Sequence, residues 1–452
     1  MDDSNTTHSL AWREQPLREL VRLAWPITVS QISFSVMTAV DTVFVGHLGA
    51  SALAGVALGG IGVFTILCFG IGMLRATKIA SAQAVGAGRP DAVNAYLGAS
   101  LWIALGLGLC FIVLGQIVAY FLPLLTSGAE SGRIAAEYAS LRMLAAPVVL
   151  AMVALRETRH ALGDARSPMF ATLIANVANV GLVTLFLFGF EWGVAGVAWA
   201  TTIAQVIEAG LLAVMQFGRG FGLTRWARAD LQQLLKLGVP LGIERFFDVA
   251  SFSVMVALFA SMGDVELAAH QVANQALILA FMPSMAIGEA ACVLLGQAVG
   301  ARSLVTIPHV QRAALAVSYG YVAACSFMMA VFGNYVARAF TQDAVVIERA
   351  SELLQVAAVF VWVLPFYQIG QSSLRAIGDV RVAALITVIA AWGCTPLFAA
   401  LLGFGFGLGA LGGWFGIGGE LGLAALCFWL RLRGGDAWLH TRRAFDRVSV
   451  PA

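Results

Sequence analysis

Charge is scarce in this sequence. Lys, Arg, Asp and Glu together make up 12% of its 452 residues, where a soluble chain of this size carries about 25%. The basic and acidic residues nearly balance, 27 against 25, so bulk charge identifies no anionic partner, and no nucleic-acid partner is expected. The six cysteines, Cys68, Cys110, Cys292, Cys325, Cys394 and Cys427, stand singly inside apolar stretches. Without a paired-cysteine or Cys/His spacing, neither a zinc site nor a disulfide framework is suggested, and small buried thiols are expected. The six histidines are dispersed, which argues against an enzyme with clustered ligands or acid–base pairs. There is no phosphate-binding Walker motif, so ATP is not the expected energy source. The glycines between Gly403 and Gly422 lie in apolar sequence with no strand before them, which favours close helix packing over nucleotide binding. No cleavable leader is legible in the polar start of the chain.

Apolar residues make up 60% of the chain and fall in blocks of roughly 20 or more, enough to cross a bilayer as helix. Trp25 to His47, Val93 to Leu122 and Val382 to Leu402 are three of them. The short alternating segments of a membrane β-barrel are missing. Gly, Pro and charge clusters divide the chain into about twelve spans. The expected class is an all-α polytopic membrane protein with a polar N-terminal segment (1–22), six spans (23–218), a basic linker (219–236), six more spans (237–432) and a tail (433–452). Trp12 to Leu20 could form a short surface segment before the first span. Most of the 27 basic residues fall on one side when loops are counted alternately, which predicts that both termini are cytoplasmic.

The halves repeat. Leu17 to Ile27 aligns with Leu231 to Leu241, setting Pro26 against Pro240. At the same offset Gly49 meets Gly263, Leu53-Ala54 meets Leu267-Ala268, and Gln-Ala-Val-Gly-Ala occurs from both Gln83 and Gln297. The segment from Leu162 answers that from Ile377 with a one-residue shift. Each half holds an even number of spans, so this is a parallel repeat about an axis along the membrane normal.

Three features then acquire a resemblance. They are Asp41-Thr42 leading into the glycine-rich run to Gly55, the stretch Leu267 to Gln275 running on to Gly296–Ala301, and the connectors Gly163-Asp164 and Gly378-Asp379. In this order, and with the repeat, the chain resembles the multidrug and toxic compound extrusion family of bacterial type over essentially its whole hydrophobic length. The resemblance implies two six-helix lobes forming a V-shaped cleft. It also implies secondary active export of amphipathic, often cationic compounds, driven by inward protons or sodium ions, with no further cofactor. A monomer in the cell inner membrane is expected. Two alternatives remain: a lipid-linked precursor flippase, disfavoured because Arg245 is nearly the only basic residue expected within the spans, and a non-transporting receptor.

A carboxyl group inside a bilayer is costly and is a functional candidate by default; desolvation favours its neutral form, which suits a proton carrier. Asp41 leads, with helix capping or a bond to a neighbouring helix as the plain reading. The resembling family often pairs it with Asn-x-x-x-Asp on the fifth span. Here Asn176 and Asn179 are present but Val183 stands where the second acid would be. The asparagines either join Asp41 or bond neighbouring helices, and Gln31 could join the cluster. Asp248 matches an acidic cation position of one family branch, and Gln368 stands at that branch's other acid. Glu244, one turn before Asp248, is either functional or paired with Arg245. Glu289 and Glu420 serve either function or packing, and His270 is expected to be a hydrogen-bonded structural residue. The two Gly-Asp connectors carry Arg166 and Arg381, and turn glycines with Asp–Arg pairs that organise the helix ends are expected there. Phe34, Met37, Phe64, Met255, Phe259, Met282 and Phe366 suggest an adaptable cleft lining, with Gln31, Gln271 and Gln275 as polar contacts.

Overall fold

Backbone N–H and C=O groups in hydrocarbon have no water to bond, so each span must satisfy its own as helix. The computed structural model describes residues 12–125 and 128–434, and they follow that rule. Fourteen α-helices run in order: α1 (Pro16–Gly46), α2 (Ala50–Gly86), α3 (Pro90–Phe121), α4 (Ala129–Met143), α5 (Ala146–Ala161), α6 (Arg166–Thr184), α7 (Gly193–Phe217), α8 (Arg228–Met262), α9 (Asp264–Gly300), α10 (Thr306–Arg338), α11 (Ala344–Phe360), α12 (Leu364–Ala376), α13 (Val380–Phe398) and α14 (Ala410–Arg433). Among the described residues eleven stretches are long and apolar enough to cross a membrane, or twelve if α4 and α5, bent by 51°, count as one span. The polar start before Trp12 and the basic tail from 435 lie outside the described residues.

The sequence repeat is also a repeat of elements. The first seven helices have 31, 37, 32, 15, 16, 19 and 25 residues. The next seven have 35, 37, 33, 17, 13, 19 and 24. Even the irregularities recur: α6 and α13 both run on into a π-helical stretch, Leu185–Gly189 and Ala399–Gly405. Gly49 and Gly263, aligned by the repeat, both turn the chain with positive φ, +105° and +130°. That backbone disfavours any side chain.

Two details differ from the sequence expectation. Among the described residues no separate surface segment precedes the first span, because α1 starts at Pro16 and continues to Gly46. The polar stretch 219–236 is a loop only as far as Ala227; from Arg228 it forms the first turns of α8. Charged residues in a first helical turn are no bar to helix, and Asp230 accepts a bond from the Ala227 amide (2.8 Å), satisfying one of the amides that a helix start leaves unpaired.

The chain divides into two compact units whose boundaries fall within α1, α2 and α8 and between α2 and α3. The first comprises Pro26–Ser81 and Arg89–Ile243; the second comprises the chain up to Trp25, Ala82–Gly88, and everything from Glu244. In the first, α7 packs on α4, α5 and α6, and α3 on α4 and α5, around Leu97, Met143, Leu150 and Leu212, which are fully buried. There α8 lays Gly238 and Gly242 on the Met73 and Phe69 carbonyls of α2, a small-xxx-small approach. In the second, α9 packs on α10, α11 and α12, and α14 on α11, α12 and α13.

The two copies of the Gln-Ala-Val-Gly-Ala motif meet in the second unit. A Cβ on Gly86 would collide with the Gln297 backbone carbonyl, and one on Gly300 with that of Gln83. The ends of α2 and α9 therefore touch backbone to backbone. The Gln83 amide donates to the Ala376 carbonyl (2.7 Å), and the Gln297 side-chain oxygen accepts from Trp12 Nε1 (2.7 Å). Gly86→Leu and Gly300→Leu should each lower stability by about 1–3 kcal/mol, the usual cost of overpacking, read as a fall in unfolding temperature. Gly106→Leu, facing open space, is the control. Equal stability of all three would contradict this contact.

Candidate functional site

Asp41, in the later part of α1, meets α6 and α7 in the first unit. Its Oδ2 accepts a bond from Thr201 Oγ1 (3.3 Å), and the same hydroxyl oxygen lies 3.4 Å from Asn179 Nδ2. Thr201 Oγ1 is also 3.0 Å from the Val197 carbonyl, so a single hydroxyl proton serves either the carboxylate or the helix backbone. Asn179 is fully buried, one turn beyond Asn176, whose amide donates to Ser33 Oγ on α1 (2.5 Å). Val183, next on that face, is fully buried and brings no polar atom. Two oxygens in the cluster, Asp41 Oδ1 and Asn179 Oδ1, are buried with no hydrogen-bond partner. Asp41 has no salt bridge among the described residues. The nearest cationic influence is Arg142 of α4, which is held by Gln205 (2.9 Å) and Thr202 (3.2 Å) of α7. The structure thus links Asp41 to Asn179 through Thr201 across α1, α7 and α6, whereas Asn176 bonds α1 two turns before Asp41, at Ser33. Gln31 lies on the same helix as Asp41, and its side-chain oxygen is also buried and unbonded.

The second unit separates the acids that were grouped by spacing. Glu244 does not pair with Arg245. It is 3% exposed, and its Oε1 accepts from Arg375 (2.8 Å) and from Gln371 (2.8 Å), both on α12. Arg245 instead bonds Asp248 (3.0 Å), with both side chains about one-third exposed. A helix brings residues at i and i+3 to one face, whereas neighbours at i and i+1 diverge. Glu420 of α14 accepts a short hydrogen bond from Thr395 of α13. Asp248, Glu420 and Glu244 all act electrostatically on the buried Tyr367. Gln368 is nearly buried beside Gly288, and Glu289 of α9 is half-buried. His270 accepts from Trp414 Nε1 (3.2 Å) amid the rings of Phe252 and Phe259.

Several expected lining residues are not available to a ligand. Met255 and Phe259 are fully buried and Met37 is 7% exposed, because their helix faces turn into the packing of their own units. Phe34, Phe64 and Phe366 are exposed, as are Gln271 and Gln275, while Met282 is half-buried. The connector aspartates do form Asp–Arg pairs, with more distant arginines. Asp164 bonds Arg159 (3.2 Å) and Ser167, and Asp379 bonds Arg431 (2.9 Å); the nearby Arg166 and Arg381 are not those partners. Nor is Arg245 the lone embedded base, since Lys78, Arg142 and Arg159 are buried. Sequence spacing also missed Glu208 of α7, 8% exposed, and Glu157 of α5, bonded to Lys78 (3.0 Å). A lone acid in an apolar run was the available signal for Glu208, whereas Glu157 stands among Arg156, Arg159 and His160.

A family model, MatE, matches the chain twice, at residues 26–185 and 240–401. The chain belongs to the MatE family. The two matches begin at Pro26 and Pro240, the pair aligned by the internal repeat, so each half carries the family pattern. The MATE chain is 29% identical to the probable multidrug resistance protein NorM of Acinetobacter baylyi, over 92% of this chain and 95% of that protein. Its identity to the corresponding Pseudomonas aeruginosa protein is 28%, over 96% and 92%. Its fold is that of a multidrug resistance MATE family transporter solved in an outward-facing conformation, with a TM-score of 0.85 at 21% identity, covering 97% of this chain and 98% of that one. A MATE structure in a bent conformation gives 0.87 at 20%, covering 97% and 98%.

Proposed function

We propose that this MATE chain is a secondary active multidrug exporter that moves amphipathic, cationic compounds out of the cell by alternating access while protons enter. It works as a monomer in the inner membrane with both termini cytoplasmic. The observation that carries the proton reading is Asp41, a carboxyl group in a span-length helix with a hydroxyl and an amide beside it and no salt bridge among the described residues. An ionised carboxylate so placed is costly, and the group takes up a proton instead. Its proton must favour one of two conformations, since an ion with equal affinity for both drives nothing. Asp41 would release the proton when the substrate-binding conformation is adopted and regain it in the conformation that lets substrate go. Sodium could occupy the same oxygens, because Asp41, Asn179 and Thr201 all offer oxygen ligands.

The flippase reading requires a free basic surface for pyrophosphate. The embedded bases are instead engaged: Lys78 by Glu157, Arg375 by Glu244, Arg159 by Asp164 and Arg142 by Gln205. That favours the exporter.

The test is reconstitution into proteoliposomes containing a fluorescent cationic dye, with an imposed proton gradient and then a sodium gradient. Dye movement with the proton gradient alone is expected. Movement with sodium alone would reassign the ion, and movement with neither, across several dyes, would overturn the exporter reading.

A further inference from the structure

Glu208 has no part in the cluster around Asp41, yet it lies on the same polar seam. On α7, Thr201, Gln205 and Glu208 follow at i, i+4 and i+7, one face of a helix. On α6, Thr172, Asn176 and Asn179 follow with the same spacing, and the two helices pack together. Asn179 meets Thr201 at one level, and Thr172 donates to Glu208 Oε1 at the other (2.7 Å). The two levels are thus seven residues apart on both helices, ~10 Å at 1.5 Å per residue. Gln205 stands between them, its side-chain oxygen accepting from Arg142.

We propose that Glu208 is a second proton-binding carboxyl of the transport cycle, two helical turns from Asp41 along the α6–α7 seam. This rests on the proton-coupled reading above.

Glu208 is 8% exposed and enters no salt bridge among the described residues; Thr172, a neutral donor, is the hydrogen-bond partner the structure shows for it. A carboxylate in such a place neutralises by binding a proton. The charged groups facing it are few. From α5, Arg156 acts on it electrostatically. That guanidinium is 29% exposed and 3.9 Å from Glu157, whose other oxygen is held by Lys78 of α2. From α4, Arg142 lies one turn nearer Asp41, bound to Thr202 and Gln205. From α6 come Thr172, Asn176 and Asn179, all neutral. Arg156 is therefore the partly exposed end of the seam: a cation that can stabilise the Glu208 carboxylate once its proton has left. A group serving only to staple α6 to α7 would need no such neighbour, and Gln would replace it without loss. The proton moves as a hydrogen ion from carboxyl to acceptor, and no bond to carbon changes. The gap to Asp41 exceeds one hydrogen bond, so Gln205 or water must bridge it.

The test uses the full chain in lipid, followed by infrared difference spectroscopy through the carbonyl stretch of protonated carboxyl groups, in sodium-free buffer. Subtracting Glu208→Gln from wild type across a pH titration should isolate one titrating carboxyl, and subtracting Asp41→Asn another. Adding tetraphenylphosphonium at constant pH should deprotonate both in wild type and only the Asp41 group in Glu208→Gln. Thr172→Val keeps the carboxyl and removes its donor, so it should move the Glu208 band and its titration range. It serves as the readout if Glu208→Gln does not fold. A Glu208 band that is absent, or unmoved by tetraphenylphosphonium while the Asp41 band responds, overturns the inference and leaves the proton-coupled reading standing. If neither band responds, that reading falls as well.

Discussion

Asp41→Asn will leave the chain folded and able to bind a cationic dye, and will abolish dye movement driven by a proton gradient. The asparagine keeps the volume of the side chain and an oxygen for Thr201, whose hydroxyl can still donate. What it removes is the ability to exist in two charge states. Coupling between two bound species is a free energy, typically about 1–3 kcal/mol, or roughly 5- to 150-fold in affinity. Without the titrating group that factor collapses to one, and a gradient cannot be converted into transport. Dye exchange at equal concentrations on both sides of the membrane needs no coupling and should persist. If Asp41→Asn transports with the wild-type gradient dependence, the coupling ion binds elsewhere, and the acids of the second unit become the candidates.

The largest effect on stability is expected at Glu244. It is buried against Arg375, whose side chain is also largely enclosed, 13% exposed, and Gln371 bonds the same carboxylate oxygen while lying within reach of Tyr367 and Thr387. Removing one partner of a buried ion pair leaves the other charge uncompensated, at a cost of about 3–5 kcal/mol. Glu244→Ala should therefore unfold at a markedly lower temperature, or fail to accumulate. The variant carrying both Glu244→Gln and Arg375→Met should recover much of the loss, since it leaves no stranded charge. Asp248→Ala, only four residues further along α8, should cost no more than about 1 kcal/mol, because its pair with Arg245 is partly exposed and screened. Thermal unfolding of the purified variants separates the two. Equal losses at Glu244 and Asp248 would show that the Arg375 pair does not hold α8 to α12.

The contrast between these two acids shows what a sequence displays and what it hides. Spacing along a single helix groups Glu244 with Asp248, but the structure gives the two acids different partners. Spacing could not reveal that Glu244 turns toward α12, because the partner is 131 residues away and an Arg near a helix end reads as a loop residue. The same limit hid Arg142, which is buried against α7. The scaffold was far more legible. Span number, the repeat and the turn glycines follow from periodic hydrophobicity and local backbone demands, which one sequence displays directly. Asp41, Asn176 and Asn179 stood out because polar groups in apolar runs are costly and therefore conspicuous. Met255 and Phe259 failed as lining residues for the opposite reason: an apolar side chain in a span carries no mark of whether it faces a neighbour, lipid or a cavity. Glu208 carried the mark of an embedded acid, but it lies on the sixth span, outside the fifth-span pattern that singled out the asparagines.

The central claim is that a proton on Asp41 and a cationic substrate exclude one another. Dye affinity measured in equilibrium across roughly pH 5 to 8 tests it directly, since each proton exchanged changes apparent affinity by up to about tenfold per pH unit. The account predicts that wild-type affinity strengthens as pH rises and that Asp41→Asn loses one proton's worth of that slope. An unchanged slope in Asp41→Asn, with the dye still bound, would contradict it.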